Sequence, residues 1–364
     1  MSRRARNLII ALVIAVVVAA PALPATATPQ PKSSTKNNNQ RSDRDVITAL
    51  RNKAGKQRNR RHATALPTWS SSFTSNGNTI PYTMVGTDPA LGSATTRIPV
   101  RIAPLRLTFS DGVTLDGTDV VKEVVHSPAF KDADYRSGHT QYGDAMQRAS
   151  FWKYVGTTSP NYHVLLDQPQ VLPTTAIDVP ADGGHSFQTP NGPAGVVNTS
   201  FLLSLLGRLD DFYQPQSLLI LLVKDVEGDS FLGFHFSYTP PGRTEPLTFI
   251  WTGEFTPDVI TRPDLSDSYV LSHEVTEWIN DPYVDNIVPD WRDPASNTCF
   301  NNLLETADPV EFLPVPSFVV RTNGRDYHVT DAAGISWFAH DAPSWQLGGA
   351  YSYLGLLTTP NALC

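Results

Sequence analysis

The sequence predicts an α+β protein, a mixed β-sheet with a metal-site helix packed on one face. Three observations carry this expectation. Short apolar runs at residues 96–109, 217–223, 231–238 and 247–255 have the length and spacing of strands. Residues 140–152 and 198–212 repeat their apolar side chains at the helical period. The run Leu271-Ser272-His273-Glu274-Val275-Thr276-Glu277-Trp278-Ile279 does the same, and it gathers an imidazole and two carboxylates on one stripe.

Residues 1–27 read as an export signal. Arg3, Arg4 and Arg6 make a basic start, residues 8–20 are apolar but too few to span a bilayer comfortably, and Ala25-Thr26-Ala27 offers small residues for cleavage. Pro21 and Pro24 interrupt the run and argue against an uncleaved anchor, so no membrane span is expected in the mature form. The expected location is secreted or extracellular, in association with a cell wall or free of it.

Residues 28–66 are polar and basic, with too little apolar material for a core, and read as a linker or propeptide with at most a short helix at 45–53. The charge of this segment suits an anionic surface or the acidic body, and a plain solvated spacer is the alternative. Arg60-Arg61 is a dibasic step suited to processing. The first 64 residues hold 13 of the 28 Lys and Arg but two of the 35 Asp and Glu, which leaves the remainder with 15 basic and 33 acidic residues, a balance of −18. That sign excludes a nucleic-acid partner and favours a cation or a basic substrate. Residues 67–364 are long enough to bury a large core and are expected to form one domain.

Within the body, residues 96–109 read as one or two strands, 119–126 as a short helix ending before Ser127-Pro128, and 140–152 as a helix burying Tyr142, Ala145, Met146, Ala149 and Trp152. A strand follows at 162–166, and a helix at 198–212 is capped by Asn198, Thr199 or Ser200. The almost wholly apolar 217–223 is expected at the centre of the sheet. Segment 231–238 alternates, and 247–255 follows the turn Pro240-Pro241-Gly242. Either of the last two segments is a candidate edge strand for pairing with a substrate peptide.

The metal helix is expected to run about four turns, with N-cap candidates in 262–268 and an end enforced by Asp281-Pro282. Leu271, Val275, Trp278 and Ile279 form its anchoring stripe. His273 and Glu277, four residues apart, can reach one cation, and Glu274 is placed to polarise a water bound to it. This is the geometry of His-Glu-x-x-His zinc hydrolases with a carboxylate in the second histidine's place. Solvated charges on a surface helix would give the same spacing.

Beyond the helix, Asp281, Asp285, Asp290, Asp293, Glu305, Asp308 and Glu311 face a single Arg292. Such crowding is relieved by a bound cation or by solvent. The chain's two cysteines, Cys299 and Cys364, most simply pair in an oxidising compartment, since no histidine pattern marks either as a thiol catalyst. His235, on a strand just before the helix, is a cleft candidate for oxyanion stabilisation, with Tyr327 as a possible proton donor and His328 as a further cleft candidate. A hydrogen-bonded core histidine is the alternative for His235. No phosphate loop and no nucleophile elbow is present.

The order helix, sheet, metal helix is that of the catalytic half of zincin metallopeptidases. The run Ser272-His273-Glu274-Val275-Thr276-Glu277-Trp278, Asp281-Pro282, Trp291, Cys299 and Leu304-Glu305-Thr306-Ala307-Asp308-Pro309 resembles a group of secreted bacterial proteins with a zincin-like His-Glu helix. More distantly it resembles the plant Exordium or phosphate-induced cell-wall proteins. Thr140-Gln141-Tyr142-Gly143-Asp144-Ala145, Phe151-Trp152 and Ser336-Trp337-Phe338 belong to the same pattern, which covers most of 95–364.

The resemblance implies a metallopeptidase-like extracellular fold with His273 and Glu277 as metal ligands, Glu274 as base, and Glu305 or Asp308 as a further ligand. Glu277 departs from the peptidase pattern. Its charge weakens the Lewis acidity of a bound metal and moves the preference from zinc toward calcium or manganese. The expected function is that of a secreted metal-dependent hydrolase, metallopeptidase-like, using one divalent cation, zinc or calcium, on an extracellular peptide or wall substrate. The alternative is a non-catalytic extracellular or cell-wall protein with a structural metal site or a carbohydrate-binding role.

Overall fold

The computed structural model describes residues 65–75, 77–300 and 302–364. The expected signal at 1–27 and all but the last two residues of the basic segment at 28–66 lie outside the described residues. Leu66, at the end of that segment, is buried in a core cluster with Val85 and Ile98.

The body is α+β with several sheets. In chain order the elements that frame the site are β1 (Thr68–Ser75), β2 (Asn78–Val85), β3 (Val100–Phe109), α1 (Tyr142–Ser150), β4 (Thr175–Val179), α2 (Thr199–Leu205), β5 (Leu218–Lys224), β6 (Gly233–Tyr238), β7 (Leu247–Glu254), α3 (Tyr269–Asn280), α4 (Asp308–Glu311), β8 (Ser317–Thr322), β9 (Arg325–Thr330) and α5 (Ile335–Ala339). The principal sheet has the order β4-β3-β5-β7-β6, parallel along that path except for the antiparallel strand β6 at one end, and two short strands pair with β3 off the path, Thr114–Asp116 antiparallel and Gln170–Val171 parallel.

The apolar run in β5 is explained by burial on both faces. Leu219, Leu221 and Val223 share one cluster with Phe201, Leu202 and Leu205 of α2, while Leu218, Ile220 and Leu222 share another with Leu271, Val275, Trp278 and Ile279 of α3. Successive strand residues point to opposite faces, so α2 and α3 cover opposite sides of one sheet. The stripe expected to anchor α3 is the one packed against the sheet.

Several boundaries differ from the expectation for local reasons. The segment 198–212 starts under an Asn198 cap that accepts the Phe201 N–H, but tightens into a 3-10 turn at Leu206–Phe212. Helix α1 ends at Ser150, and Trp152 begins a separate turn, Trp152–Val155, only partly buried. Helix α3 has 12 residues, a little over three turns, because a 3-10 turn at Pro263–Leu265 takes up the chain before it. The hairpin β8–β9 was not among the expected elements. Its signal is Asn323-Gly324, both at positive φ, as a two-residue hairpin turn requires.

Of the two candidate edge strands, β7 is interior, paired with β5 and β6 and buried along its whole length. Strand β6 forms the edge. Cys299 and Cys364 are bonded, with their Cα atoms 5.8 Å apart. Among the described residues, no helix is long and apolar enough to cross a membrane.

Candidate metal centre

All 12 residues of α3 are buried, including its imidazole and both carboxylates. The helix sits deep because small residues let its neighbours approach. A Cβ on Gly143 of α1 would lie 2.6 Å from Ile279 Cδ1, and one on Gly233 of β6 would lie 2.8 Å from Glu274 Oε1 and 2.5 Å from Val270 Cγ1. Gly233 thereby opens the space against the edge strand that the Glu274 carboxyl occupies.

His273 Nε2 lies 3.2 Å from Glu277 Oε1 and 3.3 Å from Asp308 Oδ1. Asp308 is brought there by the chain beyond Pro282. The Asn286 backbone N–H donates to the Asp281 carboxylate, its side-chain amide donates to the carbonyls of Asn280 at the end of α3 and of Thr83, and the Ala307 N–H donates to Glu277 Oε1 at 3.0 Å. Pro309 in the first turn of α4 starts a short helix whose first residue faces His273.

Strand β6 contributes the other imidazole. Its alternation sends Phe234 and Phe236 to the α2 side of the sheet and Gly233 and His235 toward α3. The His235 Nε2–H donates to the Asp281 carbonyl at 3.2 Å, which leaves Nδ1 as the acceptor nitrogen, 3.5 Å from Glu274 Oε2 and 3.7 Å from Glu277 Oε2. Glu305 is buried with neither carboxylate oxygen hydrogen-bonded, and its Oε2 is 3.8 Å from His235 Nε2.

The electrostatics follow from burying acids together. Burial pushes Glu274 up to about 8, with Asp308 adding to the effect and His273 opposing it. Burial likewise raises Glu311 to about 8 and Asp281 to about 7, and lifts Glu305 well above the carboxylate range, helped by Glu277 and Asp308. For His273, burial favours the neutral ring, but Glu277, Asp308 and Glu274 outweigh it and hold the pKa well above the usual imidazole range. His235, which lacks so close an acid partner, is lowered by burial. Among the described residues, no Lys or Arg forms an ion pair with any of these acids. Acids and an imidazole buried together without a Lys or Arg hold their protons for want of a counter-charge, and a divalent cation is a group that can take the protons' place.

His273, Glu274, Glu277, Glu305 and Asp308 are thus brought together with His235. Tyr327 and His328 are directed elsewhere: the Tyr327 hydroxyl donates to the Glu123 carbonyl at 3.1 Å, and His328 Nδ1 pairs with Asp267 Oδ2 at 2.8 Å. The strand pairing of β9 with β8 sets both positions. His235 is a buried histidine hydrogen-bonded to the Asp281 carbonyl, as the alternative expected for it has it, and its other nitrogen faces the acids as a ligand candidate; the alternation of 231–238 was its signal. Glu311 was not among the expected site residues. It stands three positions after Asp308 on α4, the spacing that shares a helix face.

The chain matches no family model, no curated protein and no solved structure.

Proposed function

We propose that this chain is an exported metal-dependent hydrolase, metallopeptidase-like and of zincin-like build, with its cation held by His273, Glu277 and Asp308. The observation that carries the reading is the convergence of His273 Nε2, Glu277 Oε1 and Asp308 Oδ1 from α3 and α4 in a buried place without a neighbouring Lys or Arg partner. The residues fit such an ion. The set mixes imidazole nitrogen with carboxylate oxygen, and Glu305 leaves two buried oxygens without a hydrogen bond.

A divalent cation bound there supplies Lewis acidity toward water and a carbonyl oxygen. Glu274, beside the ligands and against the edge strand, takes the proton from the attacking water and returns it to the leaving group. The antiparallel edge strand β6, next to α3, offers main-chain groups for an extended peptide to pair with. A peptide or wall peptide outside the cell is the substrate class this supports.

The test is metal analysis and peptide hydrolysis on the purified protein beside Glu274→Gln. The variant is expected to keep its cation and to lose roughly 10²- to 10⁴-fold in rate, the usual weight of a general base. Hydrolysis undiminished in Glu274→Gln would remove the mechanism, and a protein purified and titrated without cation uptake would remove the site. The oxygen-rich donor set favours one second reading, a non-catalytic extracellular protein with structural calcium, which predicts calcium-dependent stability and no turnover.

A further inference from the structure

The two oxygens of Glu277 face two different donor sets. Oε1 lies toward His273 and Asp308, the set used above. Oε2 lies toward His235 Nδ1, at 3.7 Å, and the same nitrogen is 3.5 Å from Glu274 Oε2. His235, Glu274 and Glu277 can each offer one ligand atom within 4.8 Å of the others, as can His273, Glu277 and Asp308. The geometry points to a second cation site at His235 Nδ1, Glu274 and Glu277, with Glu277 as a carboxylate bridge to the first.

One observation beyond the cluster's composition supports it. The orientation of the His235 ring, 3 % exposed, is already fixed by the Asp281 carbonyl, which takes the Nε2–H and turns the unprotonated Nδ1 toward Glu274 and Glu277. Glu305, buried with both oxygens lacking a hydrogen-bond partner, lies on the Nε2 side of the same ring. One ion at His273 engages a single oxygen of Glu277, whereas two ions sharing that carboxylate engage both, as in the paired centres of hydrolases that clamp attacking and leaving oxygens together. The inference rests on the reading of the His273 site and extends it. With both ions bound, Glu274 is a ligand, and the proton acceptor role belongs to the one-ion form.

Titration of the metal-stripped full chain with Zn²⁺, followed by calorimetry and elemental analysis, decides it. Two equivalents are expected for the natural chain, one for His235→Ala, and a loss at both sites for Glu277→Gln. A single equivalent that disappears in His273→Ala and survives in His235→Ala overturns the second site and leaves the proposed function intact. No uptake at all overturns both, and two equivalents retained in His235→Ala overturn the assignment of ligands. Because His235 is buried and its removal can unfold the chain, a measurement on the natural chain stands beside the variants. Loading with Mn²⁺ should give the electron paramagnetic resonance spectrum of an exchange-coupled pair, and a spectrum of isolated ions overturns the bridge.

Discussion

Gly233 has no side chain, and the carboxyl of Glu274 fills the space. A methyl group there would meet Glu274 Oε1 at 2.8 Å, Val270 Cγ1 at 2.5 Å and the Trp251 carbonyl at 3.0 Å, and the last cannot move without disturbing β7. Gly233→Ala is therefore expected to cost about 1–3 kcal/mol by overpacking and to lower the rate of peptide hydrolysis by displacing Glu274, read from denaturant midpoints and the hydrolysis assay. Glu227 gives a pH prediction away from the site. Partly buried, it is pushed by burial from 4.5 up to about 7. A carboxyl whose folded pKa is raised favours the folded state most below its unfolded value of 4.5, and that stability is lost as pH rises through 7. Glu227→Gln should match the natural chain in melting temperature near pH 4.5 and exceed it increasingly up to pH 8. A constant difference across that range would refute the assignment.

The helix α3 carries the candidate ligands on one stripe and sheet-packing residues on another, so its packing and any chemistry there are linked. Trp278 is fully buried against the sheet, and Trp278→Ala should cost about 3–5 kcal/mol in a denaturation experiment. The end of the helix depends on Asn286. Its side chain accepts from the Thr83 N–H at 2.7 Å and donates to the carbonyls of Thr83 at 2.8 Å and Asn280 at 2.6 Å, joining α3 to the β1–β2 hairpin. Asn286→Ala leaves those groups unpaired and should cost about 1–3 kcal/mol. It should also lower cation affinity, because the segment bearing Glu305 and Asp308 continues from that point. Unchanged affinity would show that α4 is held independently.

At the scale of the whole molecule one covalent tie closes the chain on itself, and the proposed cation would add a second. The Cys299–Cys364 bond spans 65 residues, a loop that the chain-entropy account values at about 4 kcal/mol. Reduction should lower the unfolding midpoint correspondingly, as followed by denaturant titration with and without reductant. The proposed cation would join α3 to α4, and to β6 if two are bound, through residues between 235 and 308 that can each offer a ligand atom. Chelation should lower the melting temperature, and cation at a hundredfold excess over its dissociation constant should restore about 2.7 kcal/mol. A melting temperature indifferent to chelator and to added Zn²⁺ or Ca²⁺ would count against any bound ion.

The amino-acid sequence by itself determined what short-range periodicity encodes. The apolar stripe of α3, the central place of β5, the pairing of the two cysteines, and the convergence of His273, Glu274 and Glu277 all follow from spacing along a few turns or from composition. Tertiary structure alone decided the rest: which of two similar strands is the edge, where Asp308 and Glu305 return, and that His235 turns Nδ1 to the acids while Tyr327 and His328 point elsewhere. Those outcomes depend on strand order and on which backbone carbonyl meets which ring. Both are set by packing between segments distant in sequence, and no local period records them.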